Sequence, residues 1–160
     1  MTGTDKDHAD VVIFPPLLLA LMFGLGILLE WLLPIVFLAP VYESKFQTGF
    51  SAILTLIGIA IAMLGVQELR KHGTHVEPHK PSKLIVSSGI YRLTRNPIYL
   101  GMVVFFFGVN MFWNLEWGVL LTLVVFLVLH YGVIKREEAY LEKKFGEPYT
   151  AYRRQARRWL

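Results

Sequence analysis

The chain has 160 residues, of which 54% are hydrophobic and 14% aromatic, and it carries a net charge of +4. Soluble domains are roughly 45–50% apolar, and the charged residues here avoid the long apolar runs, so the composition excludes an ordinary soluble domain and indicates an integral membrane protein. The basic residues lie beside these runs, as in membrane proteins, so we predict no nucleic-acid partner. Cysteine is absent, which excludes disulfides and cysteine-based metal sites or nucleophiles.

The first two apolar runs predict membrane spans at residues 11–33 and 50–66, since roughly 20 apolar residues cross a bilayer as a helix. The first run is too long for the core of a cleaved signal peptide, so we expect it to be retained. Glu30 lies near its far end, where a carboxylate can reach headgroups and water. Four glycines within the two runs are interpreted as small residues that let helices pack closely: Gly24, Gly26, Gly58 and Gly65.

Residues 67–97 are predicted as a loop, because the polar part at 67–83 contains two prolines and a glycine. Three histidines in this part suggest a metal site at first sight: His72, His75 and His79. The glycine and a proline deny them a common helix face, and cysteine or carboxylate ligands at helical spacing are missing. We therefore predict solvated histidines and no metal site.

Residues 87–101 read S-S-G-I-Y-R-L-T-R-N-P-I-Y-L-G, a polar stretch that leads directly into the next span. Gly89 permits a tight turn, and Pro97, which follows Asn96, is suited to be the first residue of a helix. A helix that begins here exposes unpaired N–H groups, which favour a small anionic or polar ligand. The alternative interpretation is a basic, aromatic anchor at the membrane surface.

The third and fourth spans are predicted at residues 98–113 and 117–134, and they form an antiparallel hairpin because only three residues join them. The hairpin brings the acidic residues after the fourth span beside the Arg-Asn-Pro stretch. With four spans, the N-terminus, the 67–97 loop and the tail share one membrane face, which holds nearly every lysine and arginine. The positive-inside rule makes that face cytosolic.

The tail, residues 135–160, is predicted as a helix, a turn at Gly146 and a second helix, whose basic and aromatic side chains lie on anionic headgroups. Because the fourth span continues into the tail, His130, Glu137 and Leu141 are expected on one helix face, turned towards the 87–101 stretch. This arrangement is either a functional site or a cluster of exposed ion pairs that adds little stability.

The predicted fold class is therefore all-α. The chain is expected to form one domain, residues 1–160, as a polytopic membrane protein with about four transmembrane helices, a cytosolic loop and a C-terminal amphipathic helical tail.

An ordered set of motifs covers roughly residues 74–159. It comprises Gly89-x-Tyr91-x-x-x-Arg95-Asn96-Pro97-x-Tyr99-x-Gly101, a helical hairpin, Glu137-Glu138-x-x-Leu141, and Phe145-Gly146-x-x-Tyr149-x-x-Tyr152. In this set the chain resembles the family of isoprenylcysteine carboxyl methyltransferases and phospholipid N-methyltransferases. The resemblance implies a membrane enzyme that binds S-adenosylmethionine between the cytosolic loop and the tail.

The resemblance also assigns residues to the site. It implies that the cofactor is lined by Lys83, Leu84, Ile85, Val86, Tyr91, Asn96, Pro97, Ile98, Tyr99 and Glu137. Many relatives have histidine where this chain has Asn96, and either side chain donates a hydrogen bond. Candidates for contact with the acceptor are Arg95, His130, Arg136 and Glu138. An amine acceptor needs a general base, for which His130 or Glu138 is the candidate; an anionic acceptor needs none.

The implied acceptor is lipophilic and enters from the bilayer between the third and fourth spans. A prenyl-cysteine carboxylate, a phospholipid headgroup, a small thiol and a quinone-like lipid all stay open as acceptors. We predict a multi-pass protein of a bacterial or archaeal cell membrane, surrounded by membrane lipids, with its active site facing the cytosol.

Two other functions stay open from the sequence. NADPH-dependent sterol-type reductases resemble this chain in the Asn-Pro-x-Tyr-x-Gly run and the tyrosine-bearing tail, although the adjacent Glu137 and Glu138 favour methyl transfer. The other alternative is a non-catalytic membrane module that binds partners or anionic lipids through its basic face.

Overall fold

The computed structural model describes residues 7–36 and 45–160, and the regular structure within them is helical. The elements are α1 (Pro15–Leu32), α2 (Lys45–Lys71), a 3₁₀ turn (Gly89–Arg92), α3 (Pro97–Phe112), α4 (Glu116–Val128), a π-helical segment (Leu129–Ile134), α5 (Lys135–Phe145) and α6 (Glu147–Gln155). The α4 helix, the π-helical segment and α5 follow one another without a break, so they form one long rod.

Three of these stretches are long and apolar enough to cross a membrane: α1, α2 and the continuous run Glu116–Phe145. Helix α3 is apolar but has 16 residues, which corresponds to about 24 Å at ~1.5 Å per residue. Large apolar side chains such as Trp31 and Leu56 are mostly exposed on the outside of the bundle, as expected for surfaces that face lipid. The predicted all-α membrane fold with about four transmembrane helices is confirmed.

The first two helices differ from their predicted bounds for local reasons. Helix α1 begins at Pro15 rather than at residue 11, because proline lacks an N–H and is favoured in the first turn of a helix. Helix α2 runs from Lys45 to Lys71, so residues 67–71, predicted as loop, are helical. These five residues are good helix formers, and their positive charges suit the negative end of the helix dipole.

Helices α2 and α3 pack with their backbones in contact along four glycines. A Cβ atom added at Gly101 would lie 2.6 Å from a backbone atom of α2, and one added at Gly108 would lie 2.7 Å from another. Gly58 and Gly65 of α2 leave equally little space on the α3 side. We call this line the glycine seam (Gly58, Gly65, Gly101, Gly108). It confirms the packing role predicted for Gly58 and Gly65.

Helix α1 packs along α4, from Leu18, which is buried with Val125, to a close backbone approach between Gly26 and Gly118 at the end far from the 67–97 loop. A Cβ atom at Gly26 would lie 3.2 Å from the Cα of Gly118, whereas one at Gly24 would meet no atom within 4 Å. The packing role predicted for Gly26 is therefore confirmed, and that predicted for Gly24 is wrong. Glu30 accepts a hydrogen bond of 3.3 Å from the Trp117 backbone N–H, so it ties α1 to the start of α4 rather than only reaching water.

The π-helical segment (Leu129–Ile134) rotates the side chains of α5 about the helix axis relative to those of α4. A π turn contains about one residue more than an α turn, and one residue corresponds to about 100° of rotation. Side chains on either side of Leu129–Ile134 therefore do not keep the alignment that an uninterrupted α-helix gives them. The Gly132 carbonyl in this segment accepts a 3.0 Å hydrogen bond from the backbone N–H of Val12.

The tail folds back onto the loop. Gly146 ends α5 with a φ of 60°, as predicted, and α6 then packs its rings against the 3₁₀ turn. Tyr149 and Tyr152 are buried together with Val86 and Tyr91 in a small core. The prediction that the aromatic side chains of α6 lie on lipid headgroups is therefore wrong for these two tyrosines, because they have a protein surface to cover.

Candidate active site

A cavity lies where the 74–86 part of the loop, the start of α3, helix α5 and α6 meet. Its volume is about 860 Å³, including the open mouth. Eleven of the fourteen residues predicted for the site line it: Leu84, Ile85, Val86, Tyr91, Arg95, Asn96, Pro97, Ile98, Tyr99, Glu137 and Glu138. The structure thus brings together both halves of the predicted site, the turn before α3 and the acidic pair after the fourth span.

Tyr99 and Glu137 meet at the wall of this cavity. Pro97 is the first residue of α3, as predicted, so Tyr99 lies in the first turn of that helix. Its hydroxyl donates a 2.6 Å hydrogen bond to a carboxylate oxygen of Glu137. A carboxylate has about four sites that accept hydrogen bonds, so Glu137 keeps capacity for the hydroxyl or amino groups of a ligand.

Glu138, the neighbour of Glu137, lies between two arginines. The Arg95 guanidinium donates to one carboxylate oxygen at 2.9 Å, and the Arg158 guanidinium donates to the other at 2.7 Å. The Arg95 and Glu138 side chains are each 8% exposed. The Nε of Arg95 is buried and has no hydrogen-bond partner in the described part of the chain, so a buried donor is left at a residue that lines the cavity.

The last residues of the described chain hold the Arg-Asn-Pro stretch in place. The Arg95 backbone N–H donates to the Arg157 carbonyl at 2.8 Å, and the Asn96 side-chain amide donates to the Arg158 carbonyl at 2.9 Å. Thr94 and Arg157 form an isolated parallel bridge. Asn96 is therefore held by the backbone of the tail, a contact that no motif in the sequence predicts.

Three buried tyrosines line another side of the cavity: Tyr91, Tyr149 and Tyr152. Burial raises the pKa of each phenol well above its usual value, so all three stay protonated and neutral. The Tyr152 hydroxyl donates a 2.7 Å hydrogen bond to the Tyr91 carbonyl, which fixes α6 on the 3₁₀ turn. The motif contained Tyr149 and Tyr152, but neither was assigned to the site.

Three predicted residues do not line the cavity. The backbone N–H of Lys83 donates to Thr74 Oγ1, and Arg136 donates to the Asp10 carbonyl. His130 lies against Trp159, whose indole N–H donates to His130 Nδ1 at 3.1 Å. The phase change in the π-helical segment explains this position, because His130 lies inside that segment and Glu137 beyond it.

Other lining residues were not assigned to the site. They include Ala9, Leu69, Thr74, His75, Ser82, Tyr140 and Leu141. Leu141 belongs to the acidic motif and was expected on the same helix face as Glu137, and His75 is one of the three histidines interpreted as solvated. The other five carried no signal in the sequence. Ala9 and Ser82 lie far apart in the chain, and only the tertiary fold brings them together.

Comparison with known proteins agrees with this picture. Residues 46–148 match the family model of the phospholipid methyltransferases. That is more than half of the chain, and the chain therefore belongs to this family of membrane methyltransferases.

Two relatives are similar over parts of the chain. A protein-S-isoprenylcysteine O-methyltransferase of Schizosaccharomyces pombe is 30% identical over 113 residues, which are 69% of this chain and 48% of that protein. An uncharacterized protein of Haemophilus influenzae is 47% identical over 38 residues, or 24% of this chain and 60% of the relative. The chain thus spans about half the length of the yeast protein. No solved structure matches it significantly.

Proposed function

We propose that the chain is an S-adenosylmethionine-dependent methyltransferase that binds its cofactor in the cavity between the loop, α3, α5 and α6. The observation that carries this proposal is the Glu137 carboxylate, held by Tyr99 at 2.6 Å on the wall of the cavity between the loop, α3, α5 and α6. Membership of the phospholipid methyltransferase family supports methyl transfer over the NADPH-dependent reductase alternative.

The residues of the cavity fit this cofactor chemically. Glu137 offers acceptors for ribose hydroxyls or an amino group, and the neutral rings of Tyr91 and Tyr149 offer π faces to a sulfonium cation. The buried Arg95 Nε offers a donor to a carboxylate. Apolar side chains such as Val86 and Leu141 also line the cavity and suit an adenine ring. When bound, S-adenosylmethionine supplies an electrophilic methyl group on sulfur.

The task of the protein in such a reaction is chiefly positioning. Methyl transfer is an in-line displacement, and holding two reactants in line can supply on the order of 7–11 kcal/mol of the barrier reduction. The contacts of Asn96 and Arg95 with the backbone of the tail make the start of α3 rigid. The tail thereby fixes Tyr99, and through it Glu137, before a ligand arrives.

The proposed acceptor is a small lipophilic molecule, and the loop-and-tail end of the bundle is proposed to face the cytosol of a bacterial or archaeal cell. The two candidate bases have other partners in the structure. His130 Nδ1 accepts the Trp159 N–H, and Glu138 pairs with two arginines. We therefore assign no general base; an acceptor that arrives as an anion needs none, and an amine acceptor needs one.

Calorimetry with S-adenosylhomocysteine in detergent tests the proposed site. We expect the wild-type protein to bind, and Glu137→Gln to weaken binding about 10- to 100-fold, because a hydrogen bond to a charged group contributes about 1.5–3 kcal/mol. Tyr99→Ala is expected to weaken binding as well, since it releases the Glu137 side chain.

Glu142→Gln is the matched control, because Glu142 lies on the same helix but pairs with Arg153 on the surface. It is expected to bind like the wild type. Equal affinity in all four proteins would remove Glu137 and Tyr99 from the site, and tighter binding of NADPH than of S-adenosylhomocysteine would favour the reductase.

A further inference from the structure

The residues before α1 form an ordered strap along α5. We call residues 7–14 the N-terminal strap. Its end near α1 is held by backbone: the Val12 N–H donates to the Gly132 carbonyl at 3.0 Å, and the Asp10 carbonyl accepts from Arg136 at 2.9 Å. Val11 and Ile13 pack against the hydrophobic core. This half of the strap is therefore firmly attached to the bundle.

The other end of the strap is held by polar groups at the rim of the cavity. The Asp7 carboxylate accepts from Lys144 at 2.5 Å and from the Tyr140 hydroxyl at 3.0 Å. The same hydroxyl accepts the Ser82 backbone N–H at 3.2 Å. One phenol thus joins the strap, α5 and the loop, and both Tyr140 and Ser82 line the cavity. We call the contacts of Asp7 with Lys144 and Tyr140 the latch.

Between these two attachments, Ala9 forms part of the cavity wall. It is 2% exposed and lines the same space as Glu137 and Tyr140. The strap lies outside residues 46–148, which match the family model. The strap thus contributes to the cavity wall a residue, Ala9, that lies outside the part of the chain matched by the family model.

The two ends of the strap differ in how strongly they are attached to the rest of the bundle. The Asp7 side chain is 60% exposed, and ion pairs exposed to water contribute little stability. The Val12 end is held by a backbone hydrogen bond and by apolar packing. Release of the latch therefore frees the Asp7 end while the strap stays attached at Val12, which is the behaviour of a hinged cover.

We propose that the N-terminal strap is a movable wall of the cofactor site and that the latch sets the rate at which S-adenosylmethionine and its product exchange. This rests on the proposed function. A gate changes association and dissociation in the same direction, whereas a residue that only contacts the ligand changes mainly dissociation.

The exchange rates of radiolabelled S-adenosylhomocysteine, measured on the full chain in detergent, test the gate. Lys144→Met and Asp7→Asn are expected to raise both the association and the dissociation rate about threefold to tenfold, so that the affinity changes less than either rate. The charge exchange Asp7→Lys with Lys144→Asp is expected to restore slow exchange. Arg154→Gln breaks a comparable surface pair with Glu147 and serves as the control.

The absence of cysteine from the chain provides a second readout. Ala9→Cys creates a single thiol in the strap, which is expected to react slowly with a maleimide, more slowly still with bound S-adenosylhomocysteine, and faster when combined with Lys144→Met. Unchanged rates in the latch variants and no protection at position 9 would overturn the gate while leaving the cofactor site intact. A wild-type protein that does not bind S-adenosylhomocysteine would overturn the proposed function and the gate together.

Discussion

Among the individual residues, Glu138 connects three parts of the chain that lie far apart in sequence. It belongs to α5, and its two partners come from the turn before α3 and from the end of the tail. The sequence predicted that the acidic pair after the fourth span would lie beside the Arg-Asn-Pro stretch, because a short hairpin joins the two spans, but it did not predict which residues pair. It did not predict Arg158, since a contact made by an extended tail leaves no periodic pattern.

Removal of the Glu138 charge is expected to destabilise the protein strongly. Glu138→Gln leaves the Arg95 guanidinium buried without its counter-charge, and breaking a buried pair in this way costs about 3–5 kcal/mol. Arg158→Gln should cost only about 1 kcal/mol, because this arginine is partly exposed and Arg95 still pairs with the carboxylate. Unfolding titrations in detergent measure both, and equal effects would contradict a central role of Glu138.

Among the helices, the packing at the glycine seam could be predicted from the sequence, whereas the π-helical segment could not. The apolar runs and their glycines predicted the spans and the packing of Gly58 and Gly65, since these depend on composition and spacing. The phase change at Leu129–Ile134 could not be predicted, because those six residues suit an α-helix as well as a π-helix. His130 lies inside this segment and outside the lining of the cavity, and its contact with an acceptor stays a prediction.

A methyl group in the glycine seam is expected to separate α2 from α3. Gly101→Ala places a Cβ 2.6 Å from backbone atoms that cannot move independently, and overpacking of this kind costs about 1–3 kcal/mol. Gly24→Ala is the control, because nothing lies within 4 Å of its added atom. It is expected to be neutral or to stabilise by up to about 1 kcal/mol through helix propensity. The same unfolding titration measures both variants, and equal destabilisation would contradict the seam.

For the molecule as a whole, four membrane crossings place different parts of the chain at the two membrane faces. The cavity, the loop and the tail lie at one end of the bundle, and the short turn between α3 and α4 lies at the other end. The sequence predicted this division from the spans and the distribution of lysine and arginine. It could not predict that the strap joins the wall of the cavity, because Ala9 belongs to no motif.

Cysteine labelling in intact cells tests the division between the faces. Lys80→Cys and Arg154→Cys are expected on the cytosolic side and therefore unreactive towards a membrane-impermeant reagent added from outside. Asn114→Cys, in the turn between α3 and α4, is expected to react. The chain has no natural cysteine, so the wild type is an unlabelled control. Labelling of all three positions from the same side would contradict four crossings.

Backbone contact along the glycine seam also restricts the route by which a lipophilic molecule can reach the cavity from the bilayer. Helices that touch through their main chains leave no gap for a fatty or isoprenoid tail, so α2 and α3 close that flank to anything dissolved in the bilayer. A lipophilic acceptor of the proposed kind is therefore expected to enter elsewhere, and the predicted route between the third and fourth spans stays compatible with this packing.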